Sequence, residues 1–367
     1  MSDRLYIAAT SQHVGKTTST LGLMSAIRKR GLRVGYCKPV GQQFVDLGDL
    51  RVDKDALLFS KSMNFQLDAD VHSPVIIGRG VTSEYLADPS QFDFRTPIQQ
   101  ASRQLQADSD FVVYEGTGHP GVGSVCDMSN AQVAQMLGAP VVMIVEGGIG
   151  STIDKLNMNL ALFRELRVPV RGVIVNKVIP KKLEKVKRFV GIYLHKMGIP
   201  LLGVLPYDKS LSSPIMSTIR LAVKGKTLLH RESMDNKVEH IASGSLLARR
   251  EIVNLHNLLV IVSMANLDAA ISSLCRIFEE RGLPGDTLSG ICVNVGDDFM
   301  SNELPPMSCR SFLEEHKIPV IATTLDTYGA AVKINEMEVK INIRTPWKVR
   351  RAVELIREHV DIDVLFR

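Results

Sequence analysis

The sequence predicts an α/β protein in which a doubly wound parallel sheet is followed by a smaller α/β domain. Three observations predict it. Short β-branched runs alternate with helical patterns through the first part of the chain, and nearly continuous apolar strands separated by helices mean a parallel sheet covered on both faces. The first run, "LYIAA", leads straight into "TSQHVGKTT", the strand, loop and helix order of a phosphate-binding turn. After the Ser/Pro-rich stretch "LPYDKSLSSP", residues 205–214, a second set of strands begins.

In chain order, the strands of the first domain are "LYIAA", "RVGYCKPV", "DFVVYEG", "PVVMIVE", "VRGVIVN" and "LLGVLP". The helices between them carry start signals: Ser129 with Gln132 makes a capping box before "AQVAQML", and Ser151 with Asp154 resembles one after "GGIG". Residues 210–214 are the linker. The second domain, residues 215–367, contains "NLLVIVS", "LSGICVNVG" and "IPVIATT", with amphipathic segments at 267–281, 327–336 and 346–359. The chain shows no internal repeat and no low-complexity segment.

Ligands of a doubly wound sheet bind beyond the carboxyl ends of its strands, where the phosphate loop, Lys38, Glu115, Gly147 and Asn176 all fall. Phosphate is held by backbone N–H groups, a lysine and a helix N-terminus. The segment "GKTT" supplies these: Gly15 lets the backbone approach, Lys16 reaches the β/γ-phosphates, and the Thr17 hydroxyl can face Mg²⁺. The usual first glycine is replaced by Thr10, which is acceptable if Thr10 keeps a negative φ. Glu115, at the end of "DFVVYEG", is placed to hold Mg²⁺ or its waters opposite Thr17. Asp53 and Asp55 stand just before a helix as candidate site acids, unless one of them is merely its N-cap. Lys38, fixed by Pro39, is either a site cation or a snorkelling lysine. The amide of Asn176 can pair with a purine edge, or can simply end a strand. A guanine-reading N-K-x-D pattern would need an acid where Ile179 stands, which favours adenine.

Composition narrows the function classes. With 367 residues, 45% hydrophobic and 23% charged, the chain suits two well-buried domains. It has no long apolar run and starts without a secretory pattern, so a cytoplasmic protein without membrane partners is expected. Five widely spaced cysteines, Cys37, Cys126, Cys275, Cys292 and Cys309, with no C-x-x-C pair, read as reduced. The net charge of +5 is densest in "NKVIPKKLEKVKRF". With only 5% aromatics there are few stacking platforms for nucleic acid, so Lys181, Lys182, Lys185 and Arg188 read as a solvated helix face.

The stretches "IAATSQHVGKTT", "YCKPVG", "DKDALLF", "VVYEGTGH", "GVIVNKV" and "GVLPYD", in this order, resemble the dethiobiotin synthetase family of P-loop enzymes. They are still more similar to the amino-terminal P-loop domain of long-form phosphate acetyltransferases. The resemblance covers about residues 1–210. It implies a homodimer in which Mg·ATP phosphorylates a carbamate, and the reaction expected here is transfer of the γ-phosphoryl group to water or to a small carboxylate or carbamate. Thr10, Gly15, Lys16, Thr17 and Thr18 would bind phosphate, Thr17, Asp55 and Glu115 would share Mg²⁺, Lys38 would bridge phosphate and acyl oxygen, and Asn176 would read adenine. Lys16 and Lys38 would be the catalytic pair. The second domain resembles the DRTGG domain of the same acetyltransferases, best over "IPVIATTLDTYGAAVKINEM"; the namesake sequence is absent, and "ARRE" at 248–251 stands near its expected place. The chain is expected not to be a complete phosphate acetyltransferase. Gln42 and Gln43 stand where dethiobiotin synthetases carry a small hydroxyl residue that contacts substrate. His119, a loop histidine before proline, reads as solvated, with contact to a substrate carboxylate as the alternative. An alternative to catalysis is a nucleotide-sensing regulatory protein that acts on a partner enzyme.

Overall fold

The computed structural model describes residues 3–48, 50–244, 256–284, 287–296, 304, 307–308 and 310–366. The segment "ARRE" and Cys309 lie outside them. The chain divides into two compact units, residues 1–208 with 341–367, and residues 209–340.

The first unit begins with β1 (Arg4–Ala9), α1 (Lys16–Arg28) and β2 (Val34–Cys37). A peripheral region follows, comprising β3 (Val40–Gly41), β4 (Phe44–Leu47), β5 (Leu50–Asp53), α2 (Lys54–Met63), α3 (Ala69–His72), β6 (Val75–Ile76) and α4 (Val81–Ala87). The alternation then resumes with α5 (Arg95–Asp108), β7 (Phe111–Glu115), α6 (Asn130–Met136), β8 (Val141–Glu146), α7 (Gly150–Glu165), β9 (Val170–Val178), α8 (Leu183–Lys196) and β10 (Leu201–Pro206). Six of these strands make one parallel sheet in the order β10-β9-β8-β1-β7-β2. Its central strands are buried along almost their whole length, as the unbroken apolar runs require when helices cover both faces. Because β7 lies between β1 and β2, Lys38 approaches the phosphate loop from two strands away.

The second unit contains α9 (Lys209–Ser212), α10 (Met216–Ala222), β11 (Lys226–Leu229), β12 (His240–Ser243), β13 (Leu258–Ser263), α11 (Leu267–Arg281), β14 (Leu288–Asn294), α12 (Arg310–Glu315), β15 (Val320–Thr323) and α13 (Thr327–Glu336). Its five-stranded sheet runs β11-β15-β14-β13-β12, parallel except for the edge strand β11. The expected linker is partly ordered, since α9 occupies residues 209–212.

Two expectations need correction. The last helix, α14 (Pro346–His359), does not belong with the second domain but with the first unit. It packs on α1 where Gly22 has no side chain; a Cβ there would lie 2.2 Å from Ile356 Cγ1. Val360 then bridges Gly203, and the Arg30 guanidinium sits 4.5 Å from the centroid of Phe366. The amphipathic pattern of α14 demands an apolar partner but does not specify which one. Ser151 is not an N-cap either: α7 starts at Gly150, two residues too early for that hydroxyl to face the open helix end, and Ile149 takes the cap position. The Ser129–Gln132 capping box does form, with Ser129 N donating to Gln132 Oε1 at 2.9 Å and Gln132 N to Ser129 Oγ at 3.2 Å.

Candidate functional site

The site is assembled at the carboxyl ends of β1, β2, β7 and β9. The loop after β1 turns through two left-handed residues, His13 at φ 61° and Gly15 at φ 100°, while Thr10 is not among the positive-φ residues. That meets the condition under which Thr10 can replace the first glycine. Gly15 cannot be replaced in the same way: besides its φ, a Cβ there would stand 2.1 Å from Asn176 Nδ2. Ser19 N bonds Gly15 O at 2.9 Å, and the first-turn N–H groups ahead of it, those of Lys16, Thr17 and Thr18, have no intrahelical acceptor. With the positive end of the helix dipole, they form an anion cradle.

Asn176 braces this cradle. Its Nδ2 donates to Val14 O at 2.7 Å and its Oδ1 accepts from Lys177 N at 2.8 Å. Lys177, itself left-handed at φ 58°, donates from Nζ to His13 O at 2.6 Å. The second amide hydrogen and second lone pair of Asn176 are what a purine edge could use.

Opposite the cradle lies a cluster of buried charges. Thr17 Oγ1 donates to Glu115 Oε1 at 2.7 Å, and Glu115 Oε2 is buried without a hydrogen-bond partner. Burial, reinforced by the Asp55 carboxylate, pushes the fully buried Glu115 carboxyl up to about 7; Lys38, Lys16 and the Thr17 hydroxyl hold it from going further. Lys38, 7% exposed, is ion-paired with Asp55 and lies 3.0 Å from Asp53 Oδ1. Burial works against its ammonium, but the Asp55, Asp53 and Glu115 carboxylates outweigh it, so Lys38 holds its proton more tightly than a free lysine. It is not a snorkelling surface lysine. Asp53 serves twice: it caps α2 by accepting from Asp55 N at 2.8 Å, and it pairs with Lys38.

Asn130 was not apparent from sequence. Its Oδ1 accepts from Tyr6 Oη at 2.8 Å and from Thr117 N at 2.9 Å, while its Nδ2 donates to Thr117 O and His119 O, both at 2.6 Å. Three of the amide's four hydrogen bonds thus fix the loop after Glu115 and the fourth ties it to Tyr6 of β1, while Lys16 Nζ donates to that loop at Gly118 O, 2.9 Å away. The signal that could have found it is the glycine-rich "EGTGHPG", a loop that needs an external brace. His119 is exposed, as are Gln42 and Gln43. Lys181, Lys182, Lys185 and Arg188 are also exposed, as expected of a solvated face. The four described cysteines are free thiols.

An oxygen-only set of Thr17, Glu115 and Asp55 suits Mg²⁺, and the partnerless Glu115 Oε2 is the atom such an ion would satisfy. Among the described residues no three His, Cys, Asp or Glu side chains converge as a metal cage, so phosphate and water oxygens would complete the shell. No described helix is long and apolar enough to cross a membrane.

A family model described as "AAA domain" matches residues 3–215, more than half of the chain. Phosphate acetyltransferase of Nitrosomonas europaea is 22% identical, over 99% of this chain and 51% of its own length. Phosphate acetyltransferase of Pseudomonas aeruginosa is 23% identical, over 98% and 51%. The ATP-dependent dethiobiotin synthetase of Xanthomonas campestris is 26% identical, over 55% of this chain and 90% of its own. The chain spans about half the length of the phosphate acetyltransferases it matches.

Proposed function

The chain belongs to this AAA-domain family, with a P-loop nucleotide-binding domain related to dethiobiotin synthetase, and from that premise we propose that it binds Mg·ATP and transfers the γ-phosphoryl group to water or to a small carboxylate or carbamate. The observation that carries this reading is Lys38. It lies outside the phosphate loop, yet it is buried beside it and held in position by Asp53 and Asp55.

Each group has a part in the reaction. Gly15 and the first turn of α1 receive the phosphates, and Lys16 turns from Gly118 O to their oxygens. Thr17, Glu115 and Asp55 would hold Mg²⁺, which when bound neutralises charge on the β- and γ-phosphates. Lys38 would be a fixed cation that stabilises the charge moving onto the acyl and phosphoryl oxygens. Asn176 offers its remaining hydrogen-bonding capacity to adenine. The protein would act in the cytoplasm as a homodimer, the commonest closed assembly; light scattering should give twice the 40.5 kDa chain mass.

The experiment is a split between binding and turnover. Lys38→Ala should lower kcat for Mg²⁺-dependent ATP cleavage by on the order of 10²–10³-fold while ATP still binds. Removing a buried cation leaves Asp53 uncompensated, so Lys38→Met with Asp53→Asn, which keeps the helix cap, serves as the folded control. A second reading has one observation in its favour: the phosphate acetyltransferases are matched across nearly all of this chain but only half of their own. If the unaltered chain binds ATP tightly and cleaves none with a broad panel of small carboxylic and amino acids, it is a nucleotide-sensing regulatory protein.

A further inference from the structure

The second unit has a cavity of about 410 Å³ between the end of α10 and the edge strand β11. Arg220, Lys226, His230 and Arg231 line it, and none of the eight lining residues carries a carboxylate. Among the described residues, none of the three permanent cations is in an ion pair. Arg220, half-buried, only folds back toward Gly225 O at 3.4 Å. His230 is different: Nδ1 lies 3.0 Å from Glu232 Oε1, and Nε2 is buried with no protein partner.

Lys226 and Arg231 are exposed and share this lining with the half-buried Arg220, so an anion that enters meets three cations and no lining carboxylate. The backbone is also under constraint here, because the residues that bracket this stretch, Lys224 and His230, are both left-handed at φ 50°. Strain of that kind in residues other than glycine persists where the surrounding structure imposes it, and it concentrates at ligand sites. Leu228 and Leu229 add an apolar wall, and the space exceeds what one inorganic anion fills. Paired guanidinium groups favour oxyanions with several equivalent oxygens. We propose that this cavity binds a small organic phosphate, with Arg220, Lys226 and Arg231 on the phosphate and the leucines against its carbon skeleton. It uses no residue of the phosphate loop and does not depend on the nucleotide reading.

The test is calorimetric titration of the full chain with inorganic pyrophosphate. The unaltered chain should show two sites. Lys16→Ala should remove the phosphate-loop site and keep the other, whereas Arg220→Gln with Arg231→Gln should weaken the other by about ten- to a hundredfold and keep the first. The proposal is overturned if Lys16→Ala binds no pyrophosphate, or if the double arginine variant still binds as the unaltered chain does. Malonate that displaces pyrophosphate at equal concentration would make the site one for carboxylates and would overturn the phosphate assignment. Should the arginine variant melt early, the ring nitrogen resonances of His230 are followed in the Lys16→Ala chain instead. They should shift with pyrophosphate, and their failure to shift overturns the proposal.

Discussion

The two sheets are built alike and end differently. In the first unit the carboxyl ends of the parallel strands carry Glu115 and, just beyond β2, Lys38, both buried and flanked by Asp53, Asp55 and Lys16. In the second unit the corresponding ends are Ser263, Asn294 and Thr323, all neutral, and the cations gather instead around the edge strand β11, from Arg220 of α10, Lys226 of β11 and Arg231 just after it. The layer architecture does not decide where chemistry occurs; the residues placed at the strand ends do. Charges of both signs packed at the first sheet suit a metal and a polyphosphate together, whereas cations alone suit only an anion.

Three substitutions would break or sharpen this contrast. The largest effect is expected of Lys16→Ala, which should abolish the rise in melting temperature caused by ATP, worth about 4 kcal/mol at a thousandfold excess over Kd. A variant that still shifts like the unaltered chain would mean that the first sheet is not where nucleotide binds. The next concerns Glu115. Its folded-state value is raised from 4.5 to about 7, so the stability it contributes is full below 4.5 and is lost as pH rises toward 7. Ion-free protein should therefore weaken across that interval by up to about 3 kcal/mol, and Glu115→Gln should flatten the slope. Chemical denaturation at a series of pH values, with chelator present, measures it; an unchanged slope in the variant would remove Glu115 as its source. The smallest effect is expected in the second sheet. Thr323 Oγ1 donates to Val223 O at 2.7 Å, so Thr323→Val should cost about 1 kcal/mol of stability and leave ATP affinity alone. A loss of ATP affinity would show that the neutral strand ends are not as inert as the contrast holds.

Much of this was legible in sequence, because period and punctuation are local signals. The segments 267–281, 327–336 and 346–359 coincide with α11, α13 and α14, since each apolar stripe and its flanking turn residues lie within one window. The docking of α14 on α1 was not legible: Gly22 and Ile356 are far apart in the chain, and nothing near either names the other. The same holds inside the site. Lys16, Thr17 and Glu115 could be read from a motif and a strand end, but the joint grip of Asp53 and Asp55 on Lys38 comes from the short β4–β5 hairpin, which has no strong pattern of its own. Asn130 was hidden in another way, because beside the Ser129 cap it reads as an ordinary first residue of a helix.

The hydrogen bond from Lys16 to Gly118 O has a consequence for how signals pass through the first unit. One ammonium is claimed by two competitors, the carbonyl of the loop after β7 and an incoming phosphate. Linkage makes such a competition reciprocal: whatever favours the loop's hold on Lys16 weakens nucleotide by the same factor by which nucleotide loosens the loop. A molecule that touches only residues 117–123, and never the nucleotide, would thereby act as an inhibitor or an activator of binding, according to whether it tightens or slackens that single bond.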